Sequence, residues 1–195
     1  MKKSNPDKKL DIIARNTVGS NNLYTNFTSV SSNGSKFNYY GYVNYKKGDG
    51  FRDNSDFESI NTYQFLEYNF NESTILSSEF TYLNYLAKQG GGLSDDMFKS
   101  DPYQSNRSRN WFEVDWLLYN LKFKKEFSSR TNFSFSFFGL EAKRNSLGFR
   151  TNRVSQIDSG EERDLIKGNF SNFGFESKLL TNYKALGKKS FFLIG

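Results

Sequence analysis

The sequence predicts an all-β chain: an antiparallel up-and-down sheet of about nine strands, of the transmembrane β-barrel type. Three observations point there. Aromatic residues are 18% of the 195 residues while the whole hydrophobic set is 36%, a balance that suits pleated, half-buried surfaces better than a Leu- and Val-built core. Apolar residues recur at period two along several segments of ten or more residues, above the ~5–6 usual for soluble strands. Links alternate between short turns and, at the other end, mostly long polar stretches, the pattern of spanning barrels with one apolar and one polar strand face.

In chain order, Leu10 to Val18 alternates in part and ends at the turn Gly19-Ser-Asn-Asn22. Leu23 to Val30 follows, closed by Ser31-Ser-Asn-Gly34, a hairpin signal. Phe37 to Lys46 sets Tyr39, Gly41, Val43 and Tyr45 on one face. Gly48 to Ser55 is a loop, and a fourth strand from about Phe57 to Phe70 turns tightly at Asn71-Glu-Ser-Thr74. Ile75 to Ala87 is the fifth strand and Trp111 to Phe123 the sixth. Between them runs the 22-residue link Gln89–Asn110, longer than the ~12–15 residues at which structureless loops become uncommon.

The seventh strand holds Phe133-Ser-Phe-Ser-Phe137, the cleanest alternation present. After Gly139 the phase fails at Glu141, Lys143 and Arg144, as expected of a strand continuing above a membrane. A second long loop spans about Asn145 to Lys167. The eighth strand sets Phe173, Phe175, Leu179 and Tyr183 against Asn172, Glu176 and Lys178. Ala185-Leu-Gly-Lys-Lys is a turn, and Ser190 to Ile194 begins a ninth strand. The competing architecture is a soluble sandwich, with one strand face on a core and the other in water.

Composition removes several function classes. No run approaches the ~18 apolar residues of a membrane helix, and the charged start Met1-Lys-Lys lacks the apolar stretch of a secretory signal. Histidine and cysteine are absent, which leaves no Ser-His-Asp or Cys-His constellation, no disulfide and no thiolate metal site. Asp95-Asp96 and Glu161-Glu162 sit in loops and read as solvated, so no enzyme is expected. Asp49 to Glu58 lacks the ligand spacing of a calcium loop, and no metal or cofactor is expected. The net charge of +6 permits anions without selecting one. Basic residues are scattered and aromatics alternate on a face, so no nucleic-acid partner is expected.

The long loops carry the candidate site. Gln104, Asn106, Arg107 and Arg109 lie in one, and Arg150, Asn152 and Arg153 in the next. Planar guanidinium forks suit carboxylate or phosphate oxygens, and two loops at one end of adjacent hairpins could converge on an anionic ligand. The competing expectation is pairing with nearby Asp and Glu, or with lipopolysaccharide.

Gly48-Asp-Gly-Phe-Arg-Asp-Asn-Ser-Asp-Phe57, Gly90-Gly-Gly-Leu-Ser-Asp-Asp-Met-Phe98, Asp101 to Trp116 and Gly160-Glu-Glu-Arg-Asp-Leu165 resemble the barrel of TonB-dependent outer-membrane receptors, the ferric citrate type above all. The resemblance spans nearly the whole chain. It implies part of a barrel of about 22 strands around a plug, located in the Gram-negative outer membrane. It also implies a ferric chelate such as iron(III) citrate as cargo, outer-membrane lipid and lipopolysaccharide around the wall, and a TonB complex acting through the plug. Residues 1–195 correspond to a partial barrel domain without plug or C-terminal strands, as a fragment or truncated frame would give. A non-transporting surface barrel or adhesin, or a carbohydrate-binding sandwich, is the alternative.

Overall fold

The computed structural model describes residues 9–149 and 153–195. Nine strands form one antiparallel sheet in sequence order: β1 (Leu10–Val18), β2 (Tyr24–Asn33), β3 (Phe37–Gly48), β4 (Phe57–Asn71), β5 (Thr74–Lys88), β6 (Trp111–Ser128), β7 (Thr131–Leu147), β8 (Leu165–Ala185) and β9 (Lys188–Ile194). One short helix, α1 (Asp95–Ser100), lies between β5 and β6. The expected up-and-down order is present. Among the described residues no second sheet packs on the first, so a sandwich does not form.

The turns explain themselves locally. Ala185 and Lys188 are joined by Leu186 (φ 51°) and Gly187 (φ 75°), both left-handed as a two-residue hairpin turn of matching twist requires. Asn21 and Asn22 take the same region between β1 and β2, where Asn is among the residues that tolerate it. Ser94 opens α1 by accepting a hydrogen bond from the Met97 N–H (3.3 Å), with Asp95 and Asp96 in the first turn, where carboxylates suit the helix dipole.

β7 and β8 run further than the alternation suggested, to Leu147 and from Leu165. Cross-strand polar pairs hold them there: Lys143 opposes Asp115, and Asn145 donates to Glu113 Oε2 (2.9 Å). The connecting loop therefore shrinks to residues 148–164.

Strand register sorts the side chains into two faces. Phe37, Tyr39, Leu66, Tyr68, Leu76, Phe80, Leu121, Phe123, Phe133, Phe135, Phe137, Phe173, Phe175, Leu179 and Tyr183 share one face toward the short turns. The same rows on the opposite face carry Asn38, Glu67, Ser77, Glu79, Asn120, Lys122, Ser134, Ser136, Glu176 and Lys178, interspersed with Tyr40, Phe65, Leu118, Phe138 and Leu180. Toward the long loops the polarity inverts. The first face then carries Lys47, Glu58, Asp115, Glu141 and Lys143, while the second carries Tyr85, Phe112, Val114 and Trp116.

The buried strand side chains are Ser29, Ser31, Ala87, Val114 and Ala142. All lie on the second face. Ala87, Val114 and Ala142 are the buried hydrophobic residues among those described, while Phe173 and Phe175 stay 76% and 71% exposed. Such a sheet has almost no core of its own, and its stability requires something to cover the first, aromatic face.

Candidate ligand-facing loops

At the end away from the short turns, three links gather: residues 49–56, 89–110 and 148–164. The first is tied to the second by Asn54, held at φ 52°. Its side-chain amide donates to the carbonyls of Gln89 (3.3 Å) and Asn110 (3.1 Å), and to that of Arg107. The Asp53 N–H donates to the Tyr103 carbonyl (2.9 Å), Arg52 donates to the Gly91 carbonyl, and the rings of Phe51 and Tyr103 lie 5.0 Å apart.

The glycine run is shaped by these contacts. A Cβ on Gly90 would stand 2.9 Å from the Asp53 carbonyl oxygen, one on Gly91 (φ 74°) 2.5 Å from Arg107 Cγ, and one on Gly92 3.7 Å from Val154. Each glycine thus faces a different neighbour: the first loop, its own loop and the third loop. The first two positions leave no room for a side chain.

The second and third loops are joined through the expected site residues. Asn106 Nδ2 donates to the Val154 carbonyl (2.7 Å). Arg107, only 5% exposed, donates to the carbonyls of Gln156 (2.8 Å) and Asn106 (2.6 Å) and lies over the Phe149 ring at 5.1 Å. Arg109 forms a two-pronged pair with Asp158, Nη2 to Oδ1 at 2.7 Å and Nε to Oδ2 at 3.2 Å, and also donates to the Glu161 carbonyl (2.9 Å). Arg163 reaches the same Asp158 oxygen at 2.6 Å and covers the Phe149 ring at 4.5 Å. The Asn110 side chain accepts the Phe149 N–H (2.9 Å).

Electrostatically, Asp158 is the centre. The Arg109 guanidinium, the Gly160 N–H and the Arg163 guanidinium hold its carboxyl well below the usual carboxylate range, against the upward push of partial burial. Its negative charge is fixed across the neutral range.

Of the expected set, Asn106, Arg107 and Arg109 come together at one loop junction. Gln104 turns back on its own loop, donating to the carbonyls of Met97 (2.6 Å) and Asp101 (3.0 Å). Arg153 is exposed. Arg150 and Asn152 lie outside the described residues. Sequence reasoning missed Asn54, Asn110, Phe149, Asp158 and Arg163. For Asp158 a local sign exists, since Asp-Ser-Gly160 closes a turn in which the Gly160 N–H donates to the carboxylate (3.1 Å); the cross-loop partners have none.

No protein-family model matches the sequence, and no curated protein does. Two solved structures share the fold. One is the ferric citrate transporter FecA in its unliganded form, with TM-score 0.70 and 17% identity over 90% of this chain and 26% of that one. The other is the ferric-catecholate import receptor Fiu from E. coli K12 in an open form, with TM-score 0.67 and 12% identity over 94% of this chain and 32% of that one. This chain thus spans about a quarter to a third of the structures it resembles, and at these identities the likeness is one of fold.

Proposed function

We propose that the chain is the wall-and-loop portion of an outer-membrane receptor barrel that takes up a ferric chelate, iron(III) citrate being the first candidate. The observation that carries the membrane part is the outer aromatic band. It holds four or five outward positions per strand, about nine residues, which at ~3.3 Å per residue and a ~45° tilt rise roughly 20–25 Å. That is close to the apolar height of spanning barrels. Tyr45 and Tyr82 stand near its upper border, and Lys47, Glu58, Asp115 and Glu141 follow at once. Lipid tails would cover the band, and lipopolysaccharide the charged rows above it.

The chelate class is supported by the two fold relatives, named for a ferric citrate and a ferric catecholate. Binding would be non-covalent and uptake driven by the TonB complex. In this reading Arg150, Asn152 and Arg153 supply donors and positive charge to the anionic complex, while Gln104, Asn106, Arg107 and Arg109 brace the loops that present them. Arg107 donates to carbonyl oxygens of the two loops it joins. The exposed Arg153 would meet the ligand directly, while Arg107 and Arg109 would shape the surface behind it.

The test is binding of radiolabelled ferric citrate, and separately of a ferric catecholate, to outer-membrane fractions containing the chain. The reading expects saturable binding of one chelate, weakened at least tenfold when Arg150 and Arg153 are both replaced by Ala. Membrane insertion without binding of either chelate would favour a non-transporting surface barrel instead.

A further inference from the structure

We propose, resting on the lipid-facing reading of the first face, that the wall of β3–β5 binds a second copy of this chain within the membrane through Gln64. This side chain lies inside the aromatic band. Its row runs from Gly41 through Gln64 to Phe80, Tyr119 and, past Gly139, Phe173. Gln64 is exposed, and among the described residues no hydrogen bond reaches its side-chain amide. The Tyr39 hydroxyl, which a Cβ on Gly41 would run into, is likewise without a partner among them. On β1 and β2 the same face satisfies its own amides. Asn26 Nδ2 donates to Asn16 Oδ1 (2.7 Å), which also accepts from the Tyr24 hydroxyl (3.2 Å), and the Thr28 hydroxyl donates to Asn26 Oδ1 (3.3 Å).

Hydrocarbon offers a carboxamide no hydrogen bond, so leaving this donor and acceptor against lipid tails is costly. A second copy, related by a two-fold axis along the membrane normal, presents the same group at the same depth. The amide carries both an N–H and a carbonyl, so two of them complement each other with a pair of N–H···O bonds. The surroundings permit close approach. Gly41 adds no side chain beside Gln64, and Thr62 and Ser78 next to it are small, the composition that lets membrane-embedded surfaces pack tightly. The band on β6–β8 has no such patch: it presents Leu121, Phe137 and Phe175 in one row.

Oxidative cross-linking of the full chain in phosphatidylcholine vesicles tests this. The chain has no native cysteine, so Thr62→Cys reports on the patch beside Gln64. Phe175→Cys, at a position 71% exposed on the same face of β8, reports on the wall away from it. Disulfide-linked dimers should form at least tenfold faster through Thr62→Cys than through Phe175→Cys. Adding Gln64→Leu should slow the Thr62→Cys reaction roughly tenfold, the loss of about one hydrogen-bonded pair. That substitution makes the band more apolar and leaves insertion intact. Equal rates at the two positions, or a Thr62→Cys rate that Gln64→Leu does not change, would overturn the inference. A chain that enters the vesicles but forms no dimers would overturn it alone; a chain that fails to enter them would overturn the lipid-facing reading with it.

Discussion

Arg109 and Asp158 meet in a two-pronged pair across 49 positions of sequence, with Nη2 and Oδ1 2.7 Å apart. The carboxylate also holds Arg163, so one acidic side chain serves two guanidiniums and a backbone N–H. Losing the negative charge leaves two arginines facing each other. Asp158→Asn should therefore loosen residues 153–164 more than Arg109→Lys, which keeps charge but loses the fork. Limited trypsin digestion reads this directly, with cleavage after Arg163 faster in the order wild type, Arg109→Lys, Asp158→Asn.

The pH response of that junction has a definite sign. The carboxyl of Asp158 is depressed in the folded state, so its contribution is complete above the ordinary carboxylate range. It erodes as pH falls below about 4 and is lost on passing the depressed value. Loop protection should be flat from about pH 5 to 8 and fall only in stronger acid. Asp158→Asn should lack that acid step. An exchange-rate profile against pH, corrected for intrinsic exchange, checks both.

The glycine run gives a graded series. Gly91→Ala meets Arg107 Cγ and a left-handed backbone, Gly90→Ala meets a carbonyl oxygen, and Gly92→Ala makes an ordinary contact. Expected losses are about 1–3 kcal/mol for Gly91 and Gly90 and close to zero for Gly92. Local opening free energies from exchange would show the order.

Leu186 offers a gain. It sits at φ 51° in a two-residue turn and is fully exposed, so its side chain buries nothing. Leu186→Asn should stabilise the β8–β9 hairpin by about 0.5–1 kcal/mol, visible as a higher thermal midpoint in micelles.

The strands were legible because period-two aromatics and turn residues are local signals: Phe133 to Phe137 and Leu117 to Phe123 announce both element and face. Asn145 to Leu147 and Leu165 to Lys167 were not, because what keeps them extended is cross-strand pairing such as Lys143 with Asp115, which the sequence places 28 positions apart. The helix Asp95–Ser100 hid inside turn-forming residues, although Ser94-Asp-Asp is also a helix-start pattern. Of the site, the loops and their arginines could be located in advance. Their partners could not, since the Arg109–Asp158 and Asn54–Asn110 ties join segments that only the fold brings together.

The outer aromatic band is the observation on which the functional reading stands, and β8 tests it residue by residue. Spin labels placed singly from Phe170 to Tyr183 in the chain reconstituted into lipid bilayers report oxygen and aqueous-nickel accessibility. The band requires oxygen accessibility to peak at Phe173, Phe175, Leu179 and Thr181 and nickel accessibility at Asn172, Glu176 and Lys178, with the alternation ending at Ser171. Equal nickel accessibility at odd and even positions throughout would contradict a lipid-facing wall, and with it the receptor reading.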